Sequence, residues 1–554
     1  MLQANGLREI PAETRKVAQA AFPHGSLVMM LRDELGAVYT DAQFGDLFSV
    51  RGQPAESPAG LALVTVLQFV EGLTDRQAAD AVRGRIDWKY ALGLELTDPG
   101  FDYSILSEFR ARLLAGSAEE RLLTTLLNLF RERGLLKAGG RQRTDSTHVL
   151  AAIRQLNRLE LVGESMRYAL NELAQAVPEW LREVVAVDWY ERYGRRFDSF
   201  HLPDSREKRQ ALAQQIGADG YWLMSHAFAK DAPAAIRSAQ CLDVLRRIWI
   251  QQYYVDASGA EPRVCLRASD ELPPAEKRIS SPYDLDARYA RHNDKEWVGY
   301  RTHLTETCDA DAPIHLITHV ETVLAPTQDV EVSETIHADL AEQGLKPKEH
   351  FVDAAYVSAN LLVKAARDDG IEVIGPVTKL QNVSWQAREQ TGYDASRFSV
   401  NWDAKQATCP QGQTSARWIE NVKDRTGNAM IQVVFAAETC QACPARALCT
   451  HSQTEGRKMG LRPREQYEAL QQARTEQTAE AWAHKYRARL GIEGTISQAV
   501  RGFELRETRY MGLAKTHLQA VALASAIDLC RFWDYLTGRG LKRTRTSPFL
   551  ALVT

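Results

Sequence analysis

Strand patterning in this chain starts at Arg143-Thr-Asp-Ser-Thr-His-Val-Leu150 and then breaks off. Roughly 151–255 is rich in Leu, Ala, Arg and Glu at helical spacing, and strand signals return only at Trp297–Leu304, Ile314–Val323 and His350–Asp353. A helix over Glu331–Gln343, ended by Gly344, separates the last two, and Ile371–Pro376 reads as a further strand. Any sheet that uses the first strand must therefore be assembled across a large helical insertion.

Strand, strand, strand, helix, strand is the order of a ribonuclease H-like α/β core, here interrupted after its first strand. A length of 554 residues favours three or four folding units. Residues 1–135 read as a helical N-terminal domain. Ser57-Pro58 supplies an N-cap with proline at the first helical position, Gly72 stops that helix, and Thr74-Asp-Arg-Gln77 is a capping box that starts the next. So short a turn resembles a helix-turn-helix, with Arg76, Arg83 and Arg85 on or near its second helix; a plain helical hairpin fits equally well. The catalytic core begins over 136–377, including the helical insertion at 151–280. A loop-rich, cysteine-bearing insertion covers 378–465, helices that complete the core cover 466–538, and a basic tail occupies 539–554.

Three carboxylates stand out by setting. Asp145 lies within the first strand, Asp353 at the carboxyl end of a later one, and Glu493 between Gly491 and Gly494 on a late helix. Taken singly, each has a plain structural reading: a turn or cap for Asp145, a helix cap for Asp353, a solvated face for Glu493. Together they supply what a two-metal phosphoryl-transfer site requires, because paired divalent cations need bridging and flanking oxygen ligands. Glycines beside Glu493 cost helix stability, which close approach of a ligand or another element would explain. Tyr486, Arg489 and Glu493 fall at i, i+3 and i+7, on one helical face.

The spacing Tyr-x2-Arg-x3-Glu resembles the signature of insertion-sequence DDE transposases. Further likeness lies in Leu67-Gln-Phe-Val-Glu-Gly-Leu-Thr-Asp-Arg-Gln-Ala78, Ile86-Asp-Trp-Lys-Tyr-Ala91, Ser107-Glu-Phe-Arg110, Trp297-Val-Gly-Tyr300, Gly494-Thr-Ile-Ser-Gln498 and Arg509-Tyr-Met-Gly-Leu-Ala-Lys-Thr-His-Leu-Gln519. These stretches, spread over about residues 20–536, are similar to the IS eleven-eighty-two group. The resemblance implies a ribonuclease H-like catalytic domain, an N-terminal domain that helps recognise transposon ends, and Mg (or Mn) held by Asp145, Asp353 and Glu493. It implies that Arg489 and Tyr486 contact a DNA phosphate. The family's lysine position is Val500 here, which leaves Arg501 or Lys515 as candidates for that role, and Asp528 stands where the family more often has Asn.

Cys409, Cys440, Cys443 and Cys449 give C-x30-C-x2-C-x5-C, the ligand complement of a closed, structural zinc site in a segment with little apolar content of its own. The other four of the eight cysteines have no such spacing. His303, His315, His319 and His350 lie on or beside strands and read as core or surface histidines in preference to a metal set. A net charge of -3 gives no global signature of nucleic-acid binding, so contacts with double-stranded DNA must come from local clusters. Clusters occur at Arg141/Arg143, Arg206/Lys208/Arg209, Lys485/Arg487/Arg489 and Arg539/Lys542/Arg543/Arg545. Cysteine usage and the lack of an export signal point to the cytoplasm, nucleoid-associated if DNA is the partner. Joining two DNA ends implies a homodimer or larger assembly on DNA. A nuclease of the same fold and a non-catalytic regulator descended from a transposase are the competing readings.

Overall fold

The computed structural model describes residues 9–49, 51, 55–198, 202–230, 232–259, 262–377, 384–388, 392–425, 427–539 and 552. Of the basic tail, Arg539 is described, and Lys542, Arg543 and Arg545 lie outside the described residues.

The N-terminal helices form where their caps predict. Ser57 Oγ accepts from Gly60 N at the start of the helix Pro58–Val70, and Thr74 and Gln77 close a reciprocal capping box on the helix Asp75–Gly84. The first of these is buried on nearly every side, and is therefore a core helix. Helix Leu513–Leu536 packs against it and also against the sheet, and its Phe532 ring lies 5.2 Å from Phe130 on the helix Arg121–Glu132. One continuous apolar core thus joins the N-terminal helices, the last helix, the helix Asp329–Glu342 and the sheet.

The strands are β1 (Arg141–Leu150), β2 (Tyr253–Asp256), β3 (Arg263–Leu266), β4 (Arg288–His292), β5 (Lys295–Thr307), β6 (Ile317–Leu324), β7 (Glu349–Phe351) and β8 (Glu372–Ile374). In the main sheet β5 is antiparallel to β1 along one edge, and to β4 and then β6 along the other. On the far side of β1 come β7 and β8, both parallel to it. The order β6-β5-β1-β7-β8 puts β1 at the centre.

The insertion after β1 has its own core, built from helices such as Arg158–Ala176, Arg206–Ala227 and Gln240–Gln252. It differs from the all-helical expectation by ending in the β2–β3 ribbon, whose Tyr253 hydroxyl donates to Ala213 O at 2.8 Å. Gly217 makes room for that ring, since a Cβ there would lie 2.4 Å from it. The cysteine-bearing region carries β9 (Ser399–Asn401), β10 (Gln406–Thr408), β11 (Arg417–Lys423), β12 (Ala429–Val434) and β13 (Lys458–Leu461) around a small core of Phe398, Val433, Phe435 and Met459. The late helical stretch is also less regular than its sequence suggests. Glu480–Tyr486 is α-helical, Arg487–Leu490 tightens to a 3-10 turn, and a new α-helix runs Gly491–Phe503.

Candidate active site

Asp145 sits on the central strand and pairs in register with Leu304 of β5. On the other side Arg143 pairs with Phe351 at the end of parallel β7, so the same register carried two residues further brings Asp353 alongside Asp145. Asp353 does not cap the following helix. Ser358 does so by accepting from Leu361 N, while Asp353 Oδ1 accepts from Ala355 N at 2.8 Å and shapes the turn after β7.

Glu493 reaches the same place from above the sheet. Arg489 Nη2 is 2.7 Å from Asp145 Oδ2 and its Nη1 is 2.8 Å from Glu493 Oε1. Asp145 Oδ1 also accepts from Ser146 N at 2.8 Å. Burial pushes the Asp145 carboxyl up to about 6 against the pull of Arg489, with Asp353 and Glu493 adding like-charge repulsion. Burial likewise pushes Tyr486 up to about 12, and its ring lies in the field of Arg489 and of all three carboxylates. The Tyr486 hydroxyl donates to Val352 O at 3.1 Å, and its ring stacks on Trp482 at 4.8 Å. Five of the residues expected at the site, Asp145, Asp353, Glu493, Tyr486 and Arg489, therefore converge, even though a 3-10 turn interrupts the helix.

Arg501 and Lys515 do not join them. Both are exposed, on consecutive helices, and neither pairs with the three carboxylates among the described residues. Val500 packs against the main core.

What holds Glu493 in place could not be read from the sequence. Glu306 on β5 is fully buried and accepts from Arg143 Nε at 2.7 Å, Arg531 Nη1 at 2.9 Å and Thr495 Oγ1 at 2.5 Å. Burial alone would raise its carboxyl, but Arg531 and Arg143 outweigh it and hold it below the usual carboxylate range. Arg143 also donates to Ala488 O at 2.6 Å and lies against Gly491, where a Cβ would stand 2.0 Å from Nη1. That contact accounts for Gly491; nothing lies within 4 Å of a Cβ at Gly494. The available signal was positional: Arg143 and Asp145 share a strand face, and Thr495 follows Glu493 by two residues.

The basic clusters near this site are largely paired within the chain. Arg141 bridges to Glu349, Lys485 to Glu349 and Glu372, and Arg143 to Glu306. On the N-terminal hairpin Arg83 pairs with Asp80, Arg85 with Asp87 and Glu71, and Arg76 lies over the Tyr103 ring.

The four cysteines expected to bind zinc line one small cavity together with Phe398, Phe435 and Arg457. Cys409 Sγ accepts from Gln413 N and Cys440 Sγ from Arg457 N, each at 3.4 Å. Among the strand histidines, His303 bonds Tyr356, and His350 is held between Thr144 and His337. His315 falls just ahead of β6 and is not on it.

A mixed α/β protein with a helical N-terminal region and an acidic centre on its main sheet is compatible with a DDE-transposase fold. Residues 408–533 match the family model described as transposase DDE domain, and residues 18–112 match the transposase domain DUF772. Together the two matches support a DDE transposase of the insertion-sequence type. The first match includes the four cysteines, Tyr486, Arg489 and Glu493, while Asp145 and Asp353 lie outside both. No curated protein and no solved structure matches the chain significantly. Among the described residues no helix is long and apolar enough to cross a membrane.

Proposed function

We propose that this chain is a DNA transposase of the IS eleven-eighty-two group that cleaves DNA at element ends and joins them to a target, with Asp145, Asp353 and Glu493 as its metal-binding catalytic triad. The observation that carries this reading is the convergence of the three carboxylates, from β1, the end of β7 and a late helix, around one arginine. A guanidinium already bridges two of them, so the donor set suits a cation, and its all-oxygen chemistry suits Mg or Mn. When bound, the divalent ions supply activation of the attacking oxygen and stabilisation of the departing 3′ oxygen. The sheet order β6-β5-β1-β7-β8, with the first acid on the central strand, supports a ribonuclease H-like core.

The chain's own groups then position DNA. Arg489 presents two Nη donors that suit a phosphate bidentately, and Tyr486 directs its hydroxyl to the neighbouring backbone beneath it. Because the site needs only positioning and charge stabilisation, no nucleophilic side chain is required. Arg501 and Lys515, exposed and unpaired with the triad, are available to duplex phosphates, and the N-terminal hairpin is proposed to recognise element ends as a dimer or larger assembly. The cysteine region is proposed to hold one structural zinc. All four thiols line one cavity, and two of the sulfurs accept backbone N–H hydrogen bonds, which supports assigning them as one ligand set.

Incubation with duplexes carrying the inverted repeats that flank the gene tests the reading. Cleaved and joined products in Mg, both abolished by EDTA, are expected. Cleavage without joining would instead identify a nuclease, and binding without any nicking a regulator.

A further inference from the structure

A second cluster of metal-ligating side chains lies on the other side of the main sheet. His319 and Glu321 are two residues apart on the edge strand β6 and share a face. Asp145 aligns across β5 with Leu304 and Val320, so His319 and Glu321 point away from the catalytic carboxylates. The helix Asp329–Glu342 covers their face and contributes Asp339. One ligand atom from each of His319, Glu321 and Asp339 lies within 4.8 Å of the other two, and among the described residues no other set meets that spacing.

An ordinary ion pair accounts for only part of this cluster. His319 Nε2 is 3.0 Å from Asp339 Oδ2, but Glu321 has no hydrogen bond or ion pair among the described residues, although it faces a second carboxylate. The His517–Glu120 pair, at 2.7 Å, lies close enough to act electrostatically on Glu321. Among the ligand residues, His319 is buried and its Nδ1 has no hydrogen-bond partner among the described residues.

We infer that His319, Glu321 and Asp339 bind a divalent transition ion of the zinc class, distinct from the catalytic ions and from the cysteine site. One imidazole with two carboxylates is a borderline donor set that suits zinc over magnesium or calcium. The ion ties the edge strand to its covering helix, which makes its role structural. Closing 4.8 Å spacings onto a tetrahedral ion needs only small side-chain movements.

Calorimetric titration of the full chain with zinc chloride tests this, comparing wild type with Glu321→Gln and Asp339→Asn. The cysteine region is untouched in all three, so its contribution cancels. Each variant is expected to bind one equivalent fewer than wild type; equal stoichiometry in all three overturns the assignment. Should a variant fail to fold, an anomalous difference map at the zinc edge from zinc-soaked wild-type crystals decides. A peak between His319 Nε2 and the two carboxylates supports the site, and no peak there refutes it.

Discussion

Arg489 joins Asp145 to Glu493, with one Nη 2.7 Å from the first carboxylate and the other 2.8 Å from the second. A residue four positions before Glu493 is thereby locked to one that lies 344 positions earlier than itself. Arg489→Ala leaves Asp145, whose side chain is 14% exposed, without its cation. The expected loss is about 1–3 kcal/mol in EDTA, moderated because Glu493 is 60% exposed. Urea denaturation with and without Mg checks it: Mg should recover more stability in the variant than it adds to wild type.

The two glycines around Glu493 should respond in opposite directions. Gly491→Ala drives a Cβ into the Arg143 guanidinium and disturbs the Arg143–Glu306 bridge, so it should cost about 1–3 kcal/mol. Gly494→Ala meets no atom within 4 Å and gains helix propensity, so it should stabilise by up to about 1 kcal/mol. Thermal unfolding of the two single variants distinguishes them.

Zinc in the cysteine region should be present at about one equivalent for that site and should depend on each thiol. Cys443→Ser is expected to release it, measured as metal content of the purified chain. The small core around Phe398, Val433, Phe435 and Met459 should then become sensitive to proteolysis, with the main sheet still protected.

Asp528 gives a pH signature. It is fully buried, one oxygen accepts from Ile317 N at 2.9 Å, and the other has no partner. Burial pushes its carboxyl well above the usual carboxylate range, with Arg531 opposing the shift. The unfolded chain ionises this group first, so the fold loses stability as pH rises from the unfolded value, about 3.9, toward the folded one. Asp528→Asn removes that contribution: stability should match wild type near pH 4 and exceed it increasingly at neutral pH. Chemical denaturation across that range is the check, and parallel curves for the two proteins would count against it.

Much of this architecture was legible because local chemistry announces it. Ser57-Pro58 and Thr74–Gln77 mark helix starts by their own hydrogen bonds, and Trp297–Leu304 and Ile314–Val323 stand out as strands by their β-branched and aromatic content. The β4 strand, Arg-Tyr-Ala-Arg-His, carries no strand pattern of its own, since it is polar and owes its form to pairing with β5. The β2–β3 ribbon has no sequence boundary of its own, because Tyr253 continues directly from a helix. At the site, residue identities were legible but their support was not. The Glu306 network draws on residues as far apart as Arg143 and Arg531, and no local pattern encodes such a contact. His319 alternates with apolar neighbours like any core residue, so its relation to Asp339 appears only when the helix folds over β6.

The central claim is that Asp145, Asp353 and Glu493 act as one catalytic centre. Its most direct test is the rate of Mg-dependent cleavage of an element-end duplex by Asp353→Asn, with DNA binding measured in parallel. The account predicts that cleavage falls by at least about a thousandfold while binding is retained, as expected when a metal ligand is lost. Cleavage within about tenfold of wild type would contradict it.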